Sequence, residues 1–236
     1  MTGLPRVHHR ATDSTNERAR QLAAAGAAHG TLVTADEQSA GRGRQGRTWT
    51  ASPGQALLLS LVVRGLERRH ALLPLVAAVA VCEACERTAG VTCAIKWPND
   101  VWIDGRKVAG ILIEGRPQEG WAVVGIGVNV STREFPEELA GAATSLALAG
   151  PERMPTREDV LAALLEALDA LLAAPADQVL ARWRERDALF GAPVAWNDGH
   201  GRGAGITDAG ALMVETEGGL VELDAGEVHL GRPPRG

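Results

Sequence analysis

Residues 41–49, Gly41-Arg42-Gly43-Arg44-Gln45-Gly46-Arg47-Thr48-Trp49, set three arginines among three glycines. Arginine brings a permanent positive charge and a planar fork of donors that fits carboxylates and phosphates. Glycine lets the backbone take up positive φ and pass close to a ligand. Together they suit a mobile loop that closes over an anion. A solvated Arg/Gly loop that binds RNA has the same make-up, so the rest of the chain must choose between them. No Gly-Lys-Ser/Thr follows, so the loop is not a phosphate-cradling P-loop.

Other groups with chemistry are spread along the chain. Asp13-Ser14-Thr15-Asn16-Glu17 offers small hydroxyls and an amide just ahead of a helical run. Ser14 and Glu17 have capping-box spacing, and a helix start also presents N–H groups to a polar ligand, so capping and ligand binding both stand. Lys96-Trp97-Pro98-Asn99-Asp100 gathers a cation, an amide and a carboxylate around a turn-fixing proline. Asp100 either caps that turn or handles a proton. Lys107 follows Asp104-Gly105-Arg106, a strong hairpin signal. In residues 121–130 the period of two places Val124, Ile126, Val128 and Val130 on one face and Gly125, Gly127 and Asn129 on the other. The second face is bare, either for tight packing of another element or for a ligand lying along it. It is no dinucleotide fingerprint, since a third glycine and a following helix are missing. Cys82 and Cys85 form a lone C-x-x-C in a helical run and read as small buried residues rather than zinc ligands or a redox pair. His200 reads as a hairpin tip rather than a catalytic base.

Patterning supplies the elements that must position these groups. β-type runs occupy residues 7–11, 31–35 and 56–63, the last nearly all apolar and therefore buried. Helical runs cover residues 18–25, stopped by Gly26, and 72–88, closed by Gly90. Residues 101–103, 107–114 and 121–130 make a three-stranded meander. Residues 156–173, opened by Thr156 and Asp159, and 176–189 are two further helices. After Phe190 the texture changes to short β-type runs at 193–196, 211–215, 220–223 and 227–230, which read as a small β-barrel. The expected domains are 1–189, carrying the chemistry, and 190–236.

The 236 residues are 45% hydrophobic and 22% charged, ordinary values for a globular protein. The most apolar stretch, 72–85, is broken by Pro74 and Glu83 and is too short to span a bilayer. Residues 1–10 lack the apolar core of a signal peptide, and three cysteines suit a reducing compartment. A cytoplasmic location with no membrane partner is expected. The net charge of −5 argues against a protein living on nucleic-acid backbone and leaves the positive charge local, as a small anionic ligand requires.

Asp13-Ser14-Thr15-Asn16, Gln38 with residues 41–49, Lys96-Trp97-Pro98-Asn99-Asp100, residues 107–112 (Lys-Val-Ala-Gly-Ile-Leu) and residues 125–130 (Gly-Ile-Gly-Val-Asn-Val) resemble, in order and spacing, the motifs of biotin protein ligases. The resemblance runs over about residues 6–230. It implies an α/β (α+β) fold: a mixed, largely antiparallel sheet flanked by helices, with a small C-terminal SH3-like β-barrel. It implies an enzyme that makes biotinyl-5′-AMP from biotin and ATP and transfers the biotinyl group to a lysine of a biotin carboxyl carrier protein. Carried over residue by residue, Ser14, Thr15, Asn16 and Gln38 hold the biotin head group, with Arg42, Gly43, Arg44, Lys107, Gly110 and Gly127 completing the biotin site. Arg44, Arg47, Trp49, Lys96, Asn99, Lys107 and Asn129 meet ATP and the adenylate, and Lys107, Arg42, Arg44 and Asp100 form the catalytic set. Mg²⁺ enters with ATP and is held mainly by phosphates, with no certain protein ligand. Only twelve residues precede Asp13, so the DNA-binding repressor domain of many bacterial members is not expected, and no nucleic-acid partner with it. A monomer or a homodimer is expected.

The chemistry has a physical demand. A carboxylate attacking the α-phosphate brings two anions together, and at ~4 Å they repel by about 4 kcal/mol at a protein-like effective dielectric. Fixed cations must offset this, and Arg42 and Arg44 with Lys107 and Lys96 are the candidates. Transfer needs an amine of reference pKa ~10.4 to lose its proton, which Asp100 could assist. Three rival readings differ in their requirements. A lipoate ligase of the same fold has no use for the Ser14-Thr15-Asn16/Gln38 cluster, which matches the donors and acceptors of a ureido ring. An Arg/Gly RNA binder would show salt-sensitive binding and no ATP–pyrophosphate exchange. A non-catalytic biotin sensor would not need Lys107 and both arginines.

Overall fold

The apolar run expected at 56–63 forms an inner strand of the main sheet, interrupted only by Ser60 and ended by Arg64. The computed structural model describes residues 2–66, 68–150, 154–224, 226 and 228–231. In chain order the first part comprises β1 (Arg6–His9), α1 (Thr15–Ala24), β2 (Leu32–Ala35), β3 (Ala56–Arg64), α2 (Leu73–Ala89), β4 (Ala94–Lys96), β5 (Asp100–Ile103), β6 (Arg106–Arg116), β7 (Trp121–Asn129), α3 (Arg157–Ala173) and α4 (Ala176–Arg184). Its seven strands make one sheet in the order β1-β2-β3-β7-β6-β5-β4. Only β1 and β2 run parallel; every other pair is antiparallel.

Alternation along the strands separates two apolar layers. Leu32, Leu61 and Val124 join the large core under α2 and α3, whereas their chain neighbours Val33, Val62 and Val123 pack with Ala19 and Ala23 of α1. α2 is buried on nearly every side, and Gly90 closes it at φ 67°, a left-handed conformation that suits glycine. Thr156 and Asp159 form the expected capping box on α3. Cys82 and Cys85 of α2 are buried with Cys93 beside them. Hydrogen bonds from Cys82 and Cys85 draw the Cys93 thiol down to about 5, while the same contacts and burial push the other two up. Among the described residues no group of three or more His, Cys, Asp or Glu side chains could hold a metal ion.

Three departures from the expected elements have physical reasons. Residues 94–96 are a strand, too short for periodicity to reveal, held by pairing with β5 in the register Lys96↔Asp100. α4 ends at Arg184 instead of 189, because the chain turns back to β4 and Ala188 N–H donates to Ile95 O at 2.9 Å. The C-terminal strands β8 (Pro193–Trp196), β9 (Gly199–Ile206), β10 (Leu212–Thr216), β11 (Gly219–Leu223) and β12 (His229–Leu230) form an antiparallel sheet in the order β11-β10-β9-β8-β12. The expected barrel is thus an open five-stranded sheet, with β11 and β12 unpaired to each other among the described residues; Glu227, at the start of the expected last strand, lies outside those residues. β9, which falls between the expected runs at 193–196 and 211–215, contains Gly199, Gly201, Gly203 and Gly205. At Gly201 a Cβ would overlap Glu215 O, and at Gly203 it would overlap Leu189 O, so close strand approach is what demands glycine there. Val194, Ile206, Leu212 and Val214 of this sheet belong to the same core cluster as α2 and β6.

Candidate active site

α1 packs on β2, β3 and β7. At its start, where Ser14, Thr15 and Asn16 stand, the sheet face opens into a cavity of about 250 Å³. Leu58, Gly110, Leu112, Gly125 and Gly127 contribute to its lining from β3, β6 and β7, with residues 42–44 and 47–50 and parts of 135–143 around them.

One end is a polar network of hydroxyls and amides built on the start of α1. Ser14 occupies the N-cap position but makes no side-chain capping bond; it is buried and lines the cavity. Thr15 donates from its N–H and its hydroxyl to Gln38 Oε1 at 2.7 and 3.0 Å. Ser60, fully buried on β3, lies with its Oγ 2.8 Å from Thr15 Oγ1 and 2.6 Å from Asn16 Oδ1. Asn16 Nδ2 donates to Glu114 Oε2 at 2.9 Å. Asp13 supports the turn by accepting the Ser14 N–H at 2.6 Å, and that bond, with Thr12 and Arg18 adding to it, holds its carboxyl below the usual range.

The other end is charged. Lys107 Nζ lies 2.7 Å from Asp100 Oδ1 across a β5–β6 pairing that shifts register between Val101 and Trp102. The backbone of Lys107 is fixed by a second chain segment: its N–H donates to Ala142 O at 2.9 Å, and Thr144 N–H donates to Lys107 O at 2.8 Å. Asn99 Oδ1 accepts from Arg44 Nη1 at 3.1 Å while Asn99 Nδ2 donates to Ile111 O at 2.9 Å. Arg44 Nη2 also donates to Gly226 O of the C-terminal part, 3.2 Å away. Asn129 Nδ2 donates to Thr144 O at 3.0 Å.

The bare face of β7 is occupied by the protein's own side chains. A Cβ on Gly125 would overlap Asn16 Oδ1, and one on Gly127 would lie 2.6 Å from Trp49 Cε2. Gly127 pairs with Gly110 across the strands, and a Cβ on Gly110 would fall 3.0 Å from Trp49 Cζ3 and 3.2 Å from Lys107 Nζ. The indole therefore rests in a trough made by two missing side chains, with the Lys107 ammonium 5.7 Å from its ring centroid. Of the two readings of this face, close packing accounts for Gly125 and Gly127. The Arg/Gly loop, expected to be mobile, is folded across the cavity as a small hairpin: Arg42 bridges to Thr48, Gly43 N–H donates to Arg47 O at 2.7 Å and Trp49 N–H donates to Gly41 O at 3.0 Å.

Fifteen of the sixteen candidate residues line this one cavity: Ser14, Thr15, Asn16, Gln38, Arg42, Gly43, Arg44, Arg47, Trp49, Asn99, Asp100, Lys107, Gly110, Gly127 and Asn129. Lys96 is the exception; its ammonium lies 5.4 Å from the Trp102 ring centroid, drawn to an aromatic face at the sheet edge. Arg42 does line the cavity, but its guanidinium faces Glu17 Oε2 at 3.6 Å and Glu114 Oε1 at 3.3 Å. Glu114 stands seven residues from Lys107 on β6, or about 20 Å along the strand, so the carboxylates that hold Arg42 lie toward the other end of β6 from Lys107. Asp100 meets Lys107, and no hydrogen bond from its carboxylate to the Trp97–Asn99 turn is found among the described residues. Sequence reading missed Ser60, Glu114 and the wall contributed by Phe135, Leu139, Ala142 and Ala143. Ser60 could have been found as the lone polar residue inside an apolar strand; the wall carries no comparable signal.

Residues 9–131 match the biotin/lipoate A/B protein ligase family. A biotin–[acetyl-CoA-carboxylase] ligase of Paracoccus denitrificans is 35% identical over 236 residues, covering 93% of this chain and 98% of that protein. The bifunctional ligase/repressor BirA of Bacillus subtilis is 34% identical, covering 98% of this chain and 75% of its own length. The solved structure of the biotin protein ligase from Aquifex aeolicus in complex with biotin and ATP superposes with a TM-score of 0.85 at 31% identity, over 98% of this chain and 100% of that one.

Proposed function

This chain belongs to the biotin/lipoate A/B protein ligase family, and we propose that this cavity takes biotin at the Ser14–Gln38 end and ATP at the Lys107–Asn99 end. It is an ATP-dependent biotin–protein ligase. Biotin becomes biotinyl-5′-AMP, and the biotinyl group passes to a lysine of a biotin carboxyl carrier domain. The observation that carries this assignment of ends is the sorting within the cavity: neutral hydroxyls and amides cluster at the start of α1, and Lys107 and Arg44 stand with Asn99 at the other end. A ureido ring, with two N–H donors and a carbonyl, matches the first set; a carboxylate meeting a phosphate matches the second.

In the first step a carboxylate oxygen of biotin bonds to the α-phosphorus and the bond to the pyrophosphate oxygen breaks. Lys107 and Arg44 offset the repulsion between the two anions, and neither has to move a proton. The ATP arrives as its Mg²⁺ complex, the ion being carried by phosphates. In the second step a lysine amine attacks the acyl carbon and AMP leaves with the bridging oxygen. Asp100 is the carboxylate beside this site; with Lys107 drawn to the adenylate phosphate, it is available to take the proton that the amine must shed. The loop of 41–49 shields the mixed anhydride from water.

Biotin-dependent ATP–pyrophosphate exchange, followed by transfer to a carrier domain, tests the reading. Exchange with biotin and none with lipoate is the expected result. Exchange driven by lipoate alone would move the assignment to the other branch of the family, and none with either acid would end it.

A further inference from the structure

Glu114 does two things at once. Its Oε2 accepts the Asn16 amide at 2.9 Å, and its Oε1 faces Arg42 Nη1 at 3.3 Å, with Arg20 Nη1 at 3.9 Å. Glu17 completes the group: its Oε2 lies 2.8 Å from Arg20 Nη1 and 3.6 Å from Arg42 Nη1. Two carboxylates and two guanidiniums thus balance each other where the first arginine of the loop crosses α1 and β6. The Glu114 side chain is 22% exposed and that of Arg42 45%, so the pair is partly shielded from solvent.

We propose that Glu114 is a positioning residue that links the loop to the head-group pocket, and that the Arg42 side chain is the loop's latch rather than a cation for the reacting anions. Asn16 has its Oδ1 taken up by Ser60 and its Nδ2 by Glu114, while the missing side chain of Gly125 gives the amide room. That fixes which way Asn16 presents its donor and acceptor. The same carboxylate meets the loop through Arg42. A bound head group that keeps Asn16 in place therefore also keeps Glu114 aimed at Arg42 and the loop shut. Arg42 serves in this way without approaching Lys107, which lies at the other end of β6.

This rests on the biotin-ligase reading, so the test has an arm that needs no catalysis. Hydrogen–deuterium exchange of the amides of residues 41–49 is followed in the protein alone for wild type, Glu114→Gln, Arg42→Gln and the double variant. Each single change is expected to raise loop exchange about fivefold, the scale of a partly shielded ion pair, and the double variant to add nothing further. Arg42→Lys should retain much of the protection, and salt should raise exchange more in wild type than in Glu114→Gln, where only the Glu17 pair remains. A second arm compares biotin KM. Glu114→Gln keeps an acceptor for Asn16 and should recover most of the KM lost in Glu114→Ala, yet leave the loop as open as Glu114→Ala does. Additive effects on loop exchange, or exchange unchanged in Glu114→Gln, would overturn the latch whatever the activity. Equal KM in Glu114→Gln and Glu114→Ala would overturn the link to Asn16. Loss of pyrophosphate exchange in wild type with the loop result intact would count against the ligase reading alone.

Discussion

Lys107 Nζ stands 2.7 Å from Asp100 Oδ1, on neighbouring strands whose register slips between them. The slip matters, because Lys107 pairs with Trp102 and Asp100 with Gly110, so both side chains meet beside the Trp49 indole. Replacing Lys107 with Ala should cut adenylate formation by about a hundredfold or more, the scale seen when one donor to developing charge is removed. Pyrophosphate release with saturating biotin reads this directly; a rate within tenfold of wild type would refute the role.

Asp100→Asn separates two roles for the carboxylate. If Asp100 takes the proton from the attacking amine, transfer of preformed biotinyl-AMP to a carrier falls about tenfold or more while adenylate formation falls less. Single-turnover rates for the two half-reactions give the comparison. Equal losses in both would reduce Asp100 to a partner that aims Lys107.

The Gly110–Gly127 trough makes a steric prediction. A methyl group at Gly127 would lie 2.6 Å from the Trp49 ring, so the indole must leave the Gly110–Gly127 trough and shift into the cavity it lines. Overfilling a packed contact costs about 1–3 kcal/mol, so Gly127→Ala should weaken ATP use roughly ten- to hundredfold. Gly127→Ala with Trp49→Phe should recover part of that loss. Pyrophosphate exchange against ATP concentration measures both.

Arg44 reaches from the loop to Asn99 Oδ1 and to Gly226 O. Arg44→Gly removes both bonds along with a charge near the phosphates. The expected outcome is a looser hold on the adenylate and labelling of bystander lysines. Incubation with a non-substrate protein, biotin and ATP reads the leak; labelling no greater than wild type would contradict it.

Acid should loosen the start of α1 and the ties of α3 to the β1–β2 edge of the sheet. The Ser14 N–H lowers Asp13, the Arg157 guanidinium lowers Asp36, and Arg6 lowers Glu158. A carboxyl lowered in the folded state binds protons more weakly there than in the unfolded chain. Its contribution is therefore complete above the ordinary carboxylate range of ~4 and is lost as pH falls through the lowered folded values. Urea midpoints taken from neutral pH downward should fall most steeply below about pH 4, and Asp13→Asn should flatten part of that fall.

The polar end was legible because small hydroxyls ahead of a helical run, and a glutamine leading into the loop, are unusual enough to notice. Their partners were not. Ser60 and Glu114 act across the sheet from β3 and β6, and only the register of those strands brings them to Asn16. The bare face of β7 was visible in the period of two, but what fills it was not, since nothing local links Trp49 to Gly127, 78 positions later. Ser14 has the spacing of a cap and makes no capping bond, because its position beside the cavity outweighs a local preference. β9 escaped notice for the opposite reason: its glycines, usually turn signals, answer close contacts with Glu215 and Leu189 from other elements. The pairing of Arg42 with Glu17 and Glu114 was not legible, because spacing along a loop says nothing about where each guanidinium finds a carboxylate.

The C-terminal sheet lends the site two main-chain carbonyls: Gly226 O receives Arg44, and Gly210 O receives the Trp97 indole N–H at 3.0 Å, just ahead of Asn99 and Asp100. Both acceptors belong to glycines at positive φ, 87° at Gly210 and 122° at Gly226, so a side chain is strained at these two positions but no other side chain of the sheet supplies the contact. Substitutions elsewhere in this sheet would therefore pass over its contribution, whereas trimming the chain near residue 190 would remove both acceptors at one stroke. A shortened protein retaining every motif residue would then be a poorer enzyme than any of its point variants in that sheet.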